Sequence, residues 1–266
     1  MKPLLLLLTL MTFAVQAGLI TEERRYEVNG KTYRGYLALD DAAPAPLPGV
    51  LVVHEWWGHN DYVRERARML AELGYAAFAI DMYGDGKTAT HPDQAGAFAK
   101  ASLASLPEAE QRFNAALALL AADSRVDGSR LAAIGYCYGG GVALHMARAG
   151  AQLQAVASFH GSLAPKADPL PAHSPVAIAV FNGAADPLVP AEQVTAFREE
   201  MMNANADHLL VNYEGALHAF TNPDADRTAA EFGLPLAYNQ AADRDSWQRL
   251  QTFLKEKLEP ENESAQ

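Results

Sequence analysis

The sequence predicts an α/β fold: a mostly parallel central sheet with helices on both faces and an antiparallel hairpin at the N-terminal edge. Three observations carry this. Short continuous apolar runs alternate with amphipathic helical stretches, the pattern of strands covered on both faces. Asn29-Gly30 sits between two strand-like segments and marks a tight hairpin turn. Finally, Gly135-Tyr136-Cys137-Tyr138-Gly139 has the Gly-x-nucleophile-x-Gly spacing of a strand-to-helix elbow, with cysteine at its centre.

The elements follow in order. Arg25 to Val28 and Lys31 to Leu37 form the hairpin. A Pro/Ala-rich loop, Ala42 to Pro48, leads to the apolar strand Val50 to Val53. Asp61 to Leu73 is a predicted helix stopped at Gly74, and Ala76 to Ile80 is a strand ending at Asp81. Residues 92 to 123, rich in alanine and leucine, read as helical with Pro107 breaking the run. Leu131 to Ile134 is the strand into the elbow, and the helix out of it ends near Gly150. The strand Ala155 to Phe159 follows. Val176 to Phe181 and His208 to Tyr213 are two more strands, with a helix from Pro190 to Asn203 between them. Asp243 to Leu258 closes the fold, and the polar tail from Glu259 is expected to fray.

Residues 1–17 are expected to be a secretory signal peptide. Lys2 supplies the positive start, Leu4 to Val15 the apolar run, and Val15-Gln16-Ala17 a small-residue cleavage site before Gly18. Residues 18–266 then form one domain, exported to a compartment such as the bacterial periplasm. The apolar run is short for a membrane span, and no cysteine follows the cleavage site to carry a lipid. Half of the 266 residues are hydrophobic and a fifth are charged, as in soluble globular proteins. The net charge of −11, with no Lys/Arg cluster, excludes nucleic acid as an expected partner.

Cys137 is the single cysteine of the chain, so it is either a buried hydrophobe or a working thiol. The flanking glycines favour the thiol. In an oxidising compartment such a thiol is expected to be recessed, or kept protonated until needed. A cysteine nucleophile needs a base, and the base an orienting acid. In sheets with this elbow the chain order is nucleophile, acid, histidine. Asp186 and His218 lie in loops after successive downstream strands, on the same sheet edge as Cys137. Asp81 also ends a strand but precedes the nucleophile; Asp168 and Asp207 are more weakly placed. His145 reads as structural, and His91, His173 and His208 as surface residues.

His54-Glu55-Trp56-Trp57-Gly58-His59 does not have helical zinc spacing, because three residues separate Glu55 from His59 and the segment leaves a strand. No metal or other cofactor is expected. This loop is instead expected to supply one oxyanion N–H, from Trp56, with the other from Tyr138. Glu55 is expected either to hold the proton of the resting thiol or to form a structural ion pair. Trp57, His160 and Phe220 are further candidates for the walls of an apolar substrate pocket.

With these residues assembled, the chain resembles the dienelactone hydrolase family of α/β-hydrolases from about Thr21 to Leu258. The anchors are Glu55-Trp56-Trp57-Gly58, Gly74-Tyr75-Ala76-Ala77, Asp81-Met82-Tyr83-Gly84, the cysteine elbow, Asp186 with Pro187-Leu188-Val189-Pro190, and His218-Ala219-Phe220. The resemblance implies a Cys137–His218–Asp186 triad, a glutamate at position 55 that interacts with the resting thiol, and an oxyanion hole at Trp56 and Tyr138. The implied activity is cofactor-free hydrolysis of a small-molecule ester or lactone, with a catalytically silent binding or sensor protein as the alternative. One departure concerns substrate. The family's namesakes hold the dienelactone carboxylate with arginines, one shortly after the catalytic histidine. Here no arginine follows His218 until Arg227, and none lies between Arg68 and Arg112. Dienelactone itself is therefore not implied.

Overall fold

A computed structural model describes residues 18–259. The expected signal peptide, residues 1–17, and the tail from residue 260 lie outside the described residues. Strands β1 (Leu19–Val28) and β2 (Lys31–Asp40) pair antiparallel around Asn29 and Gly30, whose φ angles of 51° and 73° suit the twist of a two-residue hairpin. The others are β3 (Leu47–Val53), β4 (Ala76–Ile80), β5 (Val126–Tyr136), β6 (Ala155–Phe159), β7 (Ala177–Gly183) and β8 (His208–Tyr213). They form one eight-stranded sheet in the order β1-β2-β4-β3-β5-β6-β7-β8. β2 also pairs antiparallel with β4, and every pairing from β4 to β8 is parallel.

Helices cover both faces because alternate side chains of each central strand need cover on opposite sides. Leu51 and Val53 of β3 join the core beneath α3 (Leu106–Ala121), α4 (Tyr138–Arg148) and α5 (Ala191–Ala204). Val50 and Val52 join the core beneath α1 (Asp61–Ala71) and α7 (Gln240–Leu258). This is the predicted α/β-hydrolase architecture.

The boundaries show where local chemistry differs from the expected breaks. The 92–123 run is two helices, α2 (Pro92–Ser102) and α3. Pro107 lies in the first turn of α3 and starts that helix, since proline there loses no intrahelical bond; Ser105 caps it by accepting from Glu108 N at 3.4 Å. β5 extends beyond Leu131–Ile134 at both ends. α7 begins at Gln240, where Asn239 caps Ala242 N at 3.1 Å. An eight-residue helix, α6 (Ala225–Phe232), was not predicted.

Candidate active site

The elbow is built from backbone crowding. Cys137 joins β5 to α4 at φ 53° and ψ −116°, a conformation that a non-glycine residue adopts only when its surroundings impose it. A Cβ on Gly135 would fall 2.1 Å from Gly139 O, and one on Gly139 would fall 2.3 Å from Val53 O. Both positions therefore exclude a side chain. Cys137 N donates to Phe159 O at 2.9 Å and to His160 Nδ1 at 3.1 Å, which tethers the turn to β6.

His218 and Asp186 meet at the edge where Cys137 stands. His218 Nδ1 lies 2.7 Å from Asp186 Oδ2, and both residues are buried. Leu188 N donates to the other Asp186 oxygen at 2.8 Å. The carboxylate thus accepts a hydrogen bond from the ring Nδ1–H and leaves Nε2 for chemistry; Nε2 is buried and has no hydrogen-bond partner among the described residues. Burial disfavours the imidazolium. Negative charge on Cys137 and the hydrogen bond donated to Asp186 outweigh burial and push the pKa up to about 10. The rival Asp81 is committed elsewhere: its two oxygens accept from the backbone N–H groups of Arg34, Tyr83, Gly84 and Gly86.

Glu55 is buried, and its partner is Asn222, whose Nδ2 donates to Oε2 at 2.7 Å. Burial pushes the Glu55 pKa up to about 7 against this hydrogen bond and the positive charge on His218. Glu55, Cys137, His218 and Trp57 line one narrow cavity of about 10 Å³, room for no more than a single water. Asn222 carried no signal of its own in the sequence, although its place four residues after His218 puts it in the same loop. That loop is clamped from below, where Arg66 donates to Thr221 O at 2.6 Å and to Asp243 at 2.7 Å.

The main pocket beside Cys137 and His218 has a volume of about 320 Å³. Trp56, Tyr138, Leu188, Val189, Leu234, Pro235 and Leu236 give it apolar walls. Ser162 and the exposed Lys166 also line it, and no arginine does. The 234–236 wall was not foreseen. It runs beside the histidine loop as a short parallel ladder: His218 bridges Leu236, Ala237 N donates to His218 O at 3.2 Å, and Asn239 N donates to Phe220 O at 3.0 Å.

Three expected wall residues lie elsewhere. His160 is buried under the elbow and does not line the pocket. Its Nδ1 accepts from Cys137 N, so its Nε2–H donates to Thr221 Oγ1 at 2.8 Å, and burial holds its pKa well below the ordinary imidazole range. Phe220 packs in the core against His160 and Tyr213. Trp57 borders only the narrow Glu55 cavity and packs on Trp56 and on Phe232 of α6. A residue beside a strand end was expected to face the pocket; the His160 ring, on a backbone at φ 39°, is instead engaged beneath the elbow by Cys137 N and Thr221 Oγ1.

The model of the dienelactone hydrolase family matches residues 33–258. The chain belongs to this family. A dienelactone hydrolase-like promiscuous phosphotriesterase from metagenomic libraries is 33% identical, with a TM-score of 0.85 over 92% of this chain and 100% of the other. A Klebsiella pneumoniae structure provisionally identified as a dienelactone hydrolase is 25% identical, with a TM-score of 0.73 over 89% of this chain and 98% of that one. A Yersinia pestis protein provisionally named carboxymethylenebutenolidase is 27% identical over 91% of this chain and 89% of its own length. The protein is accordingly a hydrolase of this family, and no helix among the described residues is long and apolar enough to cross a membrane.

Proposed function

We propose that the protein hydrolyses an uncharged carboxylic ester or lactone through a covalent thioester on Cys137. The observation that carries this reading is the His218–Asp186 hydrogen bond, 2.7 Å long, beside a cysteine held on a strained elbow. His218 takes the thiol proton, and the Cys137 sulfur attacks the ester carbonyl. The N–H groups of Trp56 and Tyr138 stabilise the oxyanion; that of Tyr138 lies in the first turn of α4, where it has no intrahelical acceptor. Collapse of the intermediate breaks the ester C–O bond, and His218 returns the proton to the leaving alkoxide. Water, deprotonated by His218, then attacks the thioester carbonyl; the C–S bond breaks, the Cys137 sulfur takes the proton back from His218, and the acid is released. No step draws on a cofactor or metal.

The pocket walls bear on the substrate. Apolar walls with a single lysine among them favour an apolar acyl or alcohol portion over the carboxylate of dienelactone. Export is part of the same proposal and rests on residues 1–17 alone; an N-terminus at Gly18 in protein recovered from the periplasm would support it. The deciding experiment is steady turnover of a neutral aryl ester by wild type and Cys137→Ala. Alanine fits the elbow, so the variant should fold yet lose at least ~10³-fold in turnover. Retention of wild-type turnover would remove Cys137 from the chemistry. Binding of the ester with no turnover by wild type would mark a silent binding protein.

A further inference from the structure

One buried histidine next to the proposed oxyanion donors has no part in the triad. His54 follows the last residue of β3 and is wholly buried. Its two ring nitrogens have different backbone partners. Met82 N donates to Nε2 at 3.2 Å, and Nδ1 lies 2.6 Å from Glu55 O. A backbone N–H can only donate, so Nε2 is the acceptor, and the single proton of the neutral ring sits on Nδ1 and donates to Glu55 O. Burial supports the neutral form, holding His54 well below the ordinary imidazole range.

The Glu55 carbonyl is one end of a peptide unit whose other end is the Trp56 N–H. It accepts a second hydrogen bond, from Gly58 N at 3.1 Å. The next peptide is held as well, since Tyr83 Oη–H donates to Trp56 O at 3.0 Å. The His54 ring itself stacks on Tyr138 with centroids 5.7 Å apart and meets Tyr83 edge-on at 4.6 Å. His59, the other histidine of this segment, points elsewhere, with Nε2 3.0 Å from Ala79 O.

We propose that His54 is a positioning residue for the oxyanion hole: its Nδ1–H fixes and polarises the Glu55–Trp56 peptide so that Trp56 N–H donates to the developing oxyanion. A hydrogen bond accepted at the carbonyl end of a peptide strengthens the N–H at the other end as a donor. A donor already held in place needs no reorganisation when charge appears. The inference rests on the Cys137 reading above, and it assigns work to a residue that never touches substrate.

The test separates the two hydrogen bonds of the ring. His54→Asn places an amide N–H near the Nδ1 position but loses the acceptor for Met82 N. His54→Gln reaches the Nε2 position but leaves Glu55 O with Gly58 N as its one remaining donor, and His54→Leu supplies neither ring contact. With a neutral aryl ester, kcat of His54→Asn should stay within about 3-fold of wild type, while His54→Gln and His54→Leu should fall by at least ~10-fold with KM little changed. Alkylation of Cys137 by iodoacetamide, which forms no oxyanion, should be similar in all of them. Thermal midpoints should rank differently, with His54→Gln nearest wild type because Met82 N keeps its acceptor. If kcat follows the midpoints, or if all three variants stay within about 3-fold of wild type, His54 is only a core histidine and the inference fails. Loss of turnover in Cys137→Ala on the same substrate keeps the hydrolase reading standing in that case; its retention would sink that reading instead.

Discussion

In the proposed mechanism Cys137, His218 and Asp186 act as a unit, so their single substitutions should be similarly severe. His218→Ala is expected to cost at least ~10³-fold in kcat, and Asp186→Asn a comparable factor because the amide would favour the wrong ring tautomer. Both are read from steady ester turnover; an Asp186→Asn loss below ~10-fold would mean that the imidazole is oriented without the carboxylate. Glu55 makes a separate prediction. Its pKa of about 7 in the fold exceeds the value of 4.5 for an open chain, so the folded state binds more protons between those values. Stability conferred by the protonated form is therefore present at acid pH and lost as pH rises through about 7. Glu55→Gln keeps an acceptor for Asn222 and removes the titration, so its thermal midpoint should fall less than that of wild type between pH 5 and 7. Parallel midpoint curves would show that the carboxyl does not titrate there. Glu55 also shares a cavity with the thiol, and Glu55→Ala should speed alkylation of the free enzyme without raising ester turnover; coincident alkylation-versus-pH curves would end the guarding role.

Among the elements, the elbow and the clamp under the histidine loop are the sensitive ones. Gly139→Ala would bring a methyl to 2.3 Å from Val53 O, backbone that cannot retreat without moving β3. Its thermal midpoint should drop well below that of Cys137→Ala, whose side chain only shrinks. Arg66→Met leaves Thr221 O and Asp243 without their buried donor and should destabilise by about 3 kcal/mol in denaturant titration. The elbow was legible in the sequence because its steric demand is local, confined to glycines two residues either side of Cys137. Asp186 and His218 were legible because strand order alone brings their loops to one edge. Asn222 and Thr221 were not, since their partners Glu55 and His160 lie 167 and 61 residues away and only folding joins them. α6 escaped because eight residues make too short a run for a helical period to stand out. His54 was seen only as half of a failed zinc motif; its role depends on Met82, which no spacing rule connects to it.

Across the whole molecule, an acidic surface and an apolar pocket point the same way on substrate charge. A net charge of −11 repels anions on approach, and Lys166 is the one lysine or arginine lining the pocket. Of two esters matched in size, the neutral one should show the higher kcat/KM, and added salt should raise kcat/KM for the anionic ester more than for the neutral one. An anionic ester preferred at low salt would reverse this picture and put Lys166 at the centre of recognition.

The ladder between residues 234–239 and the histidine loop limits how this protein can acquire new substrates. Leu236 shapes the pocket, yet its backbone neighbours hold the main chain of His218 and Phe220. Side-chain exchanges at 234–236 can therefore drift freely and retune chain-length preference, as Leu236→Ala should by admitting a longer acyl group at unchanged Cys137 alkylation. Gain or loss of a single residue there would shift the register and carry His218 off its line with Asp186. Divergence in this segment should thus proceed by replacement at constant length, and a library of length variants should yield folded but inactive proteins where a library of point variants yields altered specificities.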